Sequence, residues 1–190
     1  MNFIRTARII SVIVLLILFS CLLTGCVRKD DTNNDEAVAG VEEFSFTALD
    51  GSTKSLSDYR GKVVVLDMWA TWCGPCQYQM LELLKAYDFY DHDDLEIISV
   101  NTDARESVVL IQSFIDEYAK QGYDLSWVFG RDDGSISEKY MKEGALPTIG
   151  IFDQEGQLHF RKAGLCFFSE IPEGASADST LLAPIIDELL

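Results

Sequence analysis

Cys73 and Cys76 lie three residues apart in Trp69-Ala70-Thr71-Trp72-Cys73-Gly74-Pro75-Cys76, directly behind an apolar run. Two thiols at this spacing can form half of a metal clip, a covalent staple or a redox centre. A structural zinc site needs four N or S ligands, ordinarily from two paired motifs. Downstream of the N-terminal segment the other candidate ligands are Cys166, His92 and His159, and none stands at ligand spacing. We therefore assign no metal. A staple closing so small a loop removes little chain entropy and stabilises weakly. Gly74-Pro75 favours the third reading. Proline has a fixed φ and no N–H to lose, which suits the first turn of a helix. A helix starting here puts Cys73 at its N-terminus, where unpaired N–H groups and the helix dipole favour a thiolate, the nucleophilic form.

The elements that must position this pair follow from periodicity. Phe44 to Leu49 alternates and runs into Asp50-Gly51, a hairpin signal. Ser55 to Arg60 reads as a polar turn. Lys62 to Trp69 is β-branched and continuously apolar but for Asp67, as expected of a strand buried on both faces. Met80, Leu81, Leu83, Leu84 and Tyr87 recur at helical spacing after the cysteines. Leu95 to Val100 is a second buried strand, Ser107 to Tyr118 an amphipathic helix, Leu125 to Phe129 a third strand, and Ile136 to Met141 a short helix. Pro147 to Phe152 and Gln157 to Lys162 form a terminal hairpin, and Leu181 to Leu190 a final helix with Pro184 in its first turn or at a kink. Alternating strands and helices make an α/β layered domain over about 41–190. Asp67 shares a strand face with Val63, Val65 and Trp69. Either it reaches solvent at the strand end, or burial raises its pKa.

The N-terminus stands apart. Arg5 and Arg8 precede an uncharged apolar run from Ile9 to Leu23, then Leu23-Thr24-Gly25-Cys26. Basic, apolar and small in that order is the pattern of a signal peptide, and LTGC resembles a prokaryotic lipobox with Cys26 lipidated. The alternative is an uncleaved anchor, since Ile9 to Val27 is 19 residues. Residues 1–26 are thus a signal peptide or anchor, and 27–40 a polar, aperiodic linker. Either form puts the remainder on the extracytoplasmic face of the membrane, held by lipid or by the anchor. Without Arg5 and Arg8, 13 basic residues face 31 acidic ones, a charge of about −18 that repels nucleic acid.

KVVVLDMWATWCGPC, the later Ala145-Leu146-Pro147-Thr148 and a closing hairpin with Ala163-Gly164-Leu165 resemble the thioredoxin superfamily. The extra strand and helix between Leu125 and Met141, with the N-terminal hairpin and tether, are most similar to its membrane-anchored TlpA/ResA-like branch, and the likeness covers Val41 to Leu190. The resemblance implies a thioredoxin fold, a central mixed β-sheet flanked by helices with an N-terminal β-hairpin and an inserted strand and helix. It implies a thiol–disulfide oxidoreductase that needs no cofactor. Cys73 would attack and Cys76 resolve the mixed disulfide. Pro147 would be a cis-proline facing the pair, with the Leu146 backbone offered to substrate and Trp72, Gly74 and Pro75 at the rim. Asp67, six residues before the first cysteine, resembles the buried acid of thioredoxin that accepts the proton of Cys76.

Further expectations attach to that likeness. The pair would reduce disulfides of exported proteins, apocytochrome c among them, and be recharged by a membrane dithiol donor. The rivals are an oxidase or isomerase, a thiol peroxidase and a non-enzymatic Cu(I)-binding module. Peroxiredoxins carry Thr three residues before the reactive cysteine, where this chain has Ala70. Cys166 is read as a buried inert thiol, with a third active-site thiol as the alternative. Phe167-Phe168 is a candidate apolar docking patch within a long 166–178 loop, and His92 and His159 are surface residues.

Overall fold

The computed structural model describes residues 40–190, and the segment expected to be a signal peptide or anchor, with Cys26, lies outside them. Nine strands are found among the described residues: β1 Ser45–Ala48, β2 Thr53–Ser55, β3 Val63–Trp69, β4 Leu95–Asn101, β5 Val128–Arg131, β6 Thr148–Phe152, β7 Leu158–Ala163, β8 Cys166–Phe167 and β9 Thr180–Leu181. Four α-helices accompany them: α1 Gly74–Phe89, α2 Val108–Lys120, α3 Ser135–Tyr140 and α4 Ala183–Leu189. The first seven strands form one mixed sheet in the order β2-β1-β5-β4-β3-β6-β7. β3, β4 and β5 run parallel, and the flanking pairs are antiparallel. This is a thioredoxin fold with flanking helices, an N-terminal hairpin and an inserted strand and helix.

Every residue of β3 is buried, because the sheet is covered on both faces. Val63, Val65 and Trp69 pack with Met80 and Leu83 of α1, Ile111 of α2 and Ile186 of α4. Val64, Leu66 and Met68 pack on the other side with Phe44, Phe46, Leu56, Ile136 and Tyr140. Strands of such a parallel centre read as unbroken apolar runs, which explains VVVLDMW apart from its aspartate.

Three expectations are corrected. Ser55 to Arg60 is not merely a polar turn: it holds a 3₁₀ turn over Leu56–Tyr59 whose Leu56 is fully buried in the second core. β5 starts at Val128 rather than Leu125, because pairing with β4 begins at Ile98↔Val128. Leu125 and Trp127 still bury their side chains ahead of that pairing, which is why they read as strand. Phe167 and Phe168 are no docking patch. Both are buried, Phe167 against Tyr78 and Phe168 against Phe89 and Tyr90. Pro184 is accommodated in the first turn of α4.

The hairpin β1–β2 closes on β5 through a glycine. A Cβ at Gly130 would lie 2.8 Å from the Thr47 carbonyl oxygen and would also collide with the Phe46 ring. Overpacking at such a point forces backbone to move. Gly130→Ala is expected to lower stability by about 1–3 kcal/mol, read by thermal unfolding, and an unchanged melting temperature would contradict this packing.

Candidate active site

Cys73 is the N-cap of α1, and its Sγ accepts the Cys76 N–H at 3.2 Å. Pro75 occupies the first turn, where its missing N–H leaves no helical bond unmade. The two sulfurs are joined as a disulfide with Cα atoms 5.2 Å apart. Cys73 is 5% exposed at the rim, while Cys76 is fully enclosed. One turn of helix therefore gives two thiols unlike surroundings.

The loop before the pair is held from below. Glu106, itself buried, accepts the Thr71 N–H at 3.1 Å, the Thr71 hydroxyl at 2.6 Å and the Asn101 amide at 2.6 Å. Gln77 donates to the Thr71 carbonyl at 2.9 Å. Trp72 is 63% exposed, yet its indole N–H donates to Asp103 Oδ2 at 2.8 Å. Arg105 grips the same carboxylate, and its hydrogen bonds, followed by that of Trp72, hold the Asp103 carboxyl far below the usual range. An aromatic rim is thus fixed beside Cys73 while its ring faces solvent.

A groove of about 500 Å³ opens beside the disulfide, and Trp72, Cys73, Gly74, Pro75 and Leu146 all line it. Asp103 and Met141 also line it. The Leu146–Pro147 peptide bond is cis, and the Pro147 carbonyl accepts the Gly164 N–H at 2.8 Å. Of the other expected residues, Cys76 and Asp67 are fully buried and, like Pro147, absent from the groove lining, and Cys26 lies outside the described residues.

Asp67 sits in mid-strand with no exposure, so it does not reach solvent. It pairs with Ser99 on β4 and Ile149 on β6. Burial pushes its carboxyl from 3.8 to about 7, against the opposing hydrogen bond that Ser99 Oγ donates to Oδ2 at 2.9 Å. A carboxyl that titrates near neutrality in a closed site is suited to proton exchange.

Sequence reasoning missed the polar side chains that brace this site. Gln79 Oε1 accepts the Cys166 N–H at 2.8 Å, and Glu82 Oε2 accepts the Phe168 N–H at 2.9 Å, so α1 anchors the segment that carries β8. Their three-residue spacing on one helix face was the available signal, but nothing marked which chain they would meet. Cys166 itself is fully buried, and burial pushes its thiol up to about 11, with the nearby Asp67 charge adding to the rise and Lys162 opposing it.

Comparison with known proteins agrees with this geometry. The profile of the AhpC/TSA family matches residues 39–161. The thiol–disulfide oxidoreductase ResA of Oceanobacillus iheyensis is 34% identical over 152 residues, which are 76% of this chain and 75% of that protein. The thioredoxin-like protein YneN of Bacillus subtilis is 32% identical over 137 residues, 72% of this chain and 76% of that one. Among solved structures, the exposed lipoprotein thioredoxin Etrx1 of Streptococcus pneumoniae superposes with a TM-score of 0.52 at 27% identity, covering 65% of this chain and 90% of its own. A thiol–disulfide isomerase of Corynebacterium glutamicum gives 0.63 at 20% identity over 80% of this chain and 97% of its own, a likeness of fold alone.

The raised Asp67 pKa has a stability consequence. The folded carboxyl binds its proton up to about pH 7, whereas the unfolded one releases it near 3.8. The folded state therefore holds the extra proton between those values, and stability is lost as pH rises through that window. For the oxidised protein, Asp67→Asn is expected to be more stable than the parent by up to about 4 kcal/mol near pH 8, with the gap closing near pH 4. Urea unfolding across pH checks this, and parallel profiles for the two proteins would contradict it.

Proposed function

The chain belongs to the AhpC/TSA family and is a thiol–disulfide oxidoreductase, and from that premise we propose that it is a membrane-tethered reductant of disulfides in exported proteins. The observation that carries the reading is the combination of Cys73 lining a groove, Cys76 fully buried in the first turn of the same helix, and a buried carboxyl on the side of β3 that this helix covers. Reduced Cys73 attacks a substrate disulfide, forming a mixed disulfide and releasing one substrate sulfur as thiolate. Cys76 then gives its proton to Asp67 and attacks Cys73 Sγ. The Cys73–Cys76 bond forms, the bond to substrate breaks, and the second substrate thiolate departs to take a proton from water. The oxidised pair is the state described here. Reduction by a membrane dithiol carrier returns it to the start.

Several features support the finer points. The Gly-Pro dipeptide together with a buried acid resembles the reducing end of the superfamily. Residues 1–26 read as a signal peptide ending at Cys26, and the similar pneumococcal protein is named a lipoprotein. The groove beside Leu146 offers a channel in which an extended peptide would lie against the pair. Apocytochrome c is a fitting substrate, since its haem-attachment cysteines must be reduced outside the cytoplasm. The peroxidase alternative is disfavoured by the small, buried Ala70 three residues before Cys73, and hydrogen peroxide is expected to go unconsumed.

Two measurements test the proposal. Titration against thiol–disulfide buffers should place the pair near the thioredoxin value of about −270 mV, and a potential near about −120 mV would make it an oxidant instead. Cys76→Ala should accumulate mixed disulfides through Cys73 in cells, and these should vanish when Cys73 is also replaced. A Cys76→Ala protein that traps nothing would remove the exchange mechanism.

A further inference from the structure

Among the described residues, Asp67 is reached by a single donor. Ser99 Oγ lies 2.9 Å from Asp67 Oδ2, and Trp127 Nε1 lies 2.9 Å from the same Ser99 Oγ. Asp67 Oδ1 is enclosed without a hydrogen-bonding partner. An indole N–H can donate and cannot accept. Ser99 must therefore accept from Trp127, and its one hydrogen is free to go to Asp67. A proton placed on Oδ2 would either point at Ser99, which would then accept twice and strand its own hydrogen, or turn away and leave Ser99 donating to a hydroxyl oxygen, a poorer acceptor than a carbonyl oxygen. A proton on Oδ1 keeps both bonds of the chain, and the one hydrogen left without an acceptor is the exchangeable one. Trp127 is in turn fixed by stacking on Phe129 at 5.5 Å and by the edge of Tyr87 at 5.6 Å.

We propose that Trp127 and Ser99 form a one-way donor chain that confines the exchangeable proton of Asp67 to Oδ1. The two are positioning residues: neither touches substrate, and both act through the carboxyl. Asp67 lies on the α1-facing side of β3, so Oδ1 is the oxygen left to take the proton from the Cys76 thiol as the Cys76 thiolate attacks Cys73. When the exchange reverses, the same atom gives the proton up. The chain has a second effect, because a donor pointed at Oδ2 favours the carboxylate over the acid. It opposes the burial that would otherwise keep Asp67 protonated.

The ionisable surroundings are few. Cys73 and Cys76 on α1 are tied in the disulfide of the oxidised protein. Glu82, farther along α1, is engaged by the Phe168 N–H and Lys85. Cys166 of β8 titrates well above neutrality, and Lys162 of β7 shares the row Ser99–Asp67–Ile149–Lys162 across the sheet but bonds the Asp178 carbonyl and Thr180.

This inference rests on the proposal that Asp67 is the proton acceptor, and its test reads the carboxyl rather than turnover. The protonated-carboxyl infrared band of the oxidised full-length protein is followed across pH, with Asp67→Asn identifying the band. Ser99→Ala is expected to raise the midpoint by about one pH unit, about tenfold in proton affinity, and to move the band upward as Oδ2 loses its donor. Trp127→Phe should raise the midpoint by roughly half as much, because Ser99 then becomes free to accept. The double variant should go no higher than Ser99→Ala alone, since the indole acts through the hydroxyl. An unmoved band and midpoint in Ser99→Ala, or single effects that simply add, would overturn the chain. If Trp127→Phe fails to fold, the Ser99→Ala band decides. A parent protein with no Asp67-dependent band at any pH would overturn the acid–base reading as well, whereas loss of the Ser99 dependence alone would overturn only this one.

Discussion

A carboxyl group closed into the middle of a strand that is covered on both faces is the constraint on which this site depends. β3 has to lie at the centre of the sheet, because its alternate residues supply two separate cores. Placing Asp67 there removes water from an ionisable group, and desolvation favours the neutral form. The thickness of the two layers thus sets the chemistry of a single side chain. A shallower sheet would leave Asp67 an ordinary carboxylate, charged throughout the physiological range and a poor proton acceptor.

The pair above it is positioned by polar groups that are themselves enclosed. Glu106 receives three hydrogen bonds and so fixes Thr71, two residues before Cys73. Gln79 and Glu82 extend from the next turns of α1 and capture alternate N–H groups of the chain at Cys166 and Phe168. Alternate capture is what an extended strand allows, since its N–H groups point to one side every second residue. The helix carrying the cysteines is therefore clamped from the loop before it and from the strand beside it. Broken one at a time, such contacts leave a buried acceptor or donor unpaired, which is costlier than never having had it.

Much of this was legible because burial leaves a period in the residues. Strands β3 and β4, α1, α2 and the closing hairpin follow their expected bounds to within one or two residues, since each has one partner geometry and a matching pattern. The helix start at Cys73 was legible from Gly74-Pro75, a local signal. What escaped depends on pairings between distant segments. Leu56 looked like part of a polar turn because its neighbours are polar, and Phe167-Phe168 looked exposed because nothing in 166–178 announced the aromatic cluster of α1 that covers it. Glu106 carried no signal, as an acid before a helix reads as solvated surface. Ser99 faces Asp67 only through the β3–β4 register, which no single segment encodes.

The three thiols of the folded region show what that positioning accomplishes. Cys166 shares a core with Cys73 and Cys76, yet burial holds its proton to about 11, so at neutral pH it presents almost no thiolate. Proximity to the site is therefore not enough to make a cysteine react. Cys73 differs by standing at a helix start and a groove mouth, where backbone N–H groups favour its charge and a substrate sulfur has access. Cys76 lies in the same first turn but has no opening to the groove: it is as buried as Cys166. It needs a base close by if it is to become a nucleophile inside an apolar core, and Asp67 is the acid whose proton affinity has been brought near neutrality on that side of the sheet. On the proposed mechanism, the buried carboxyl is what separates a resolving thiol from an inert one.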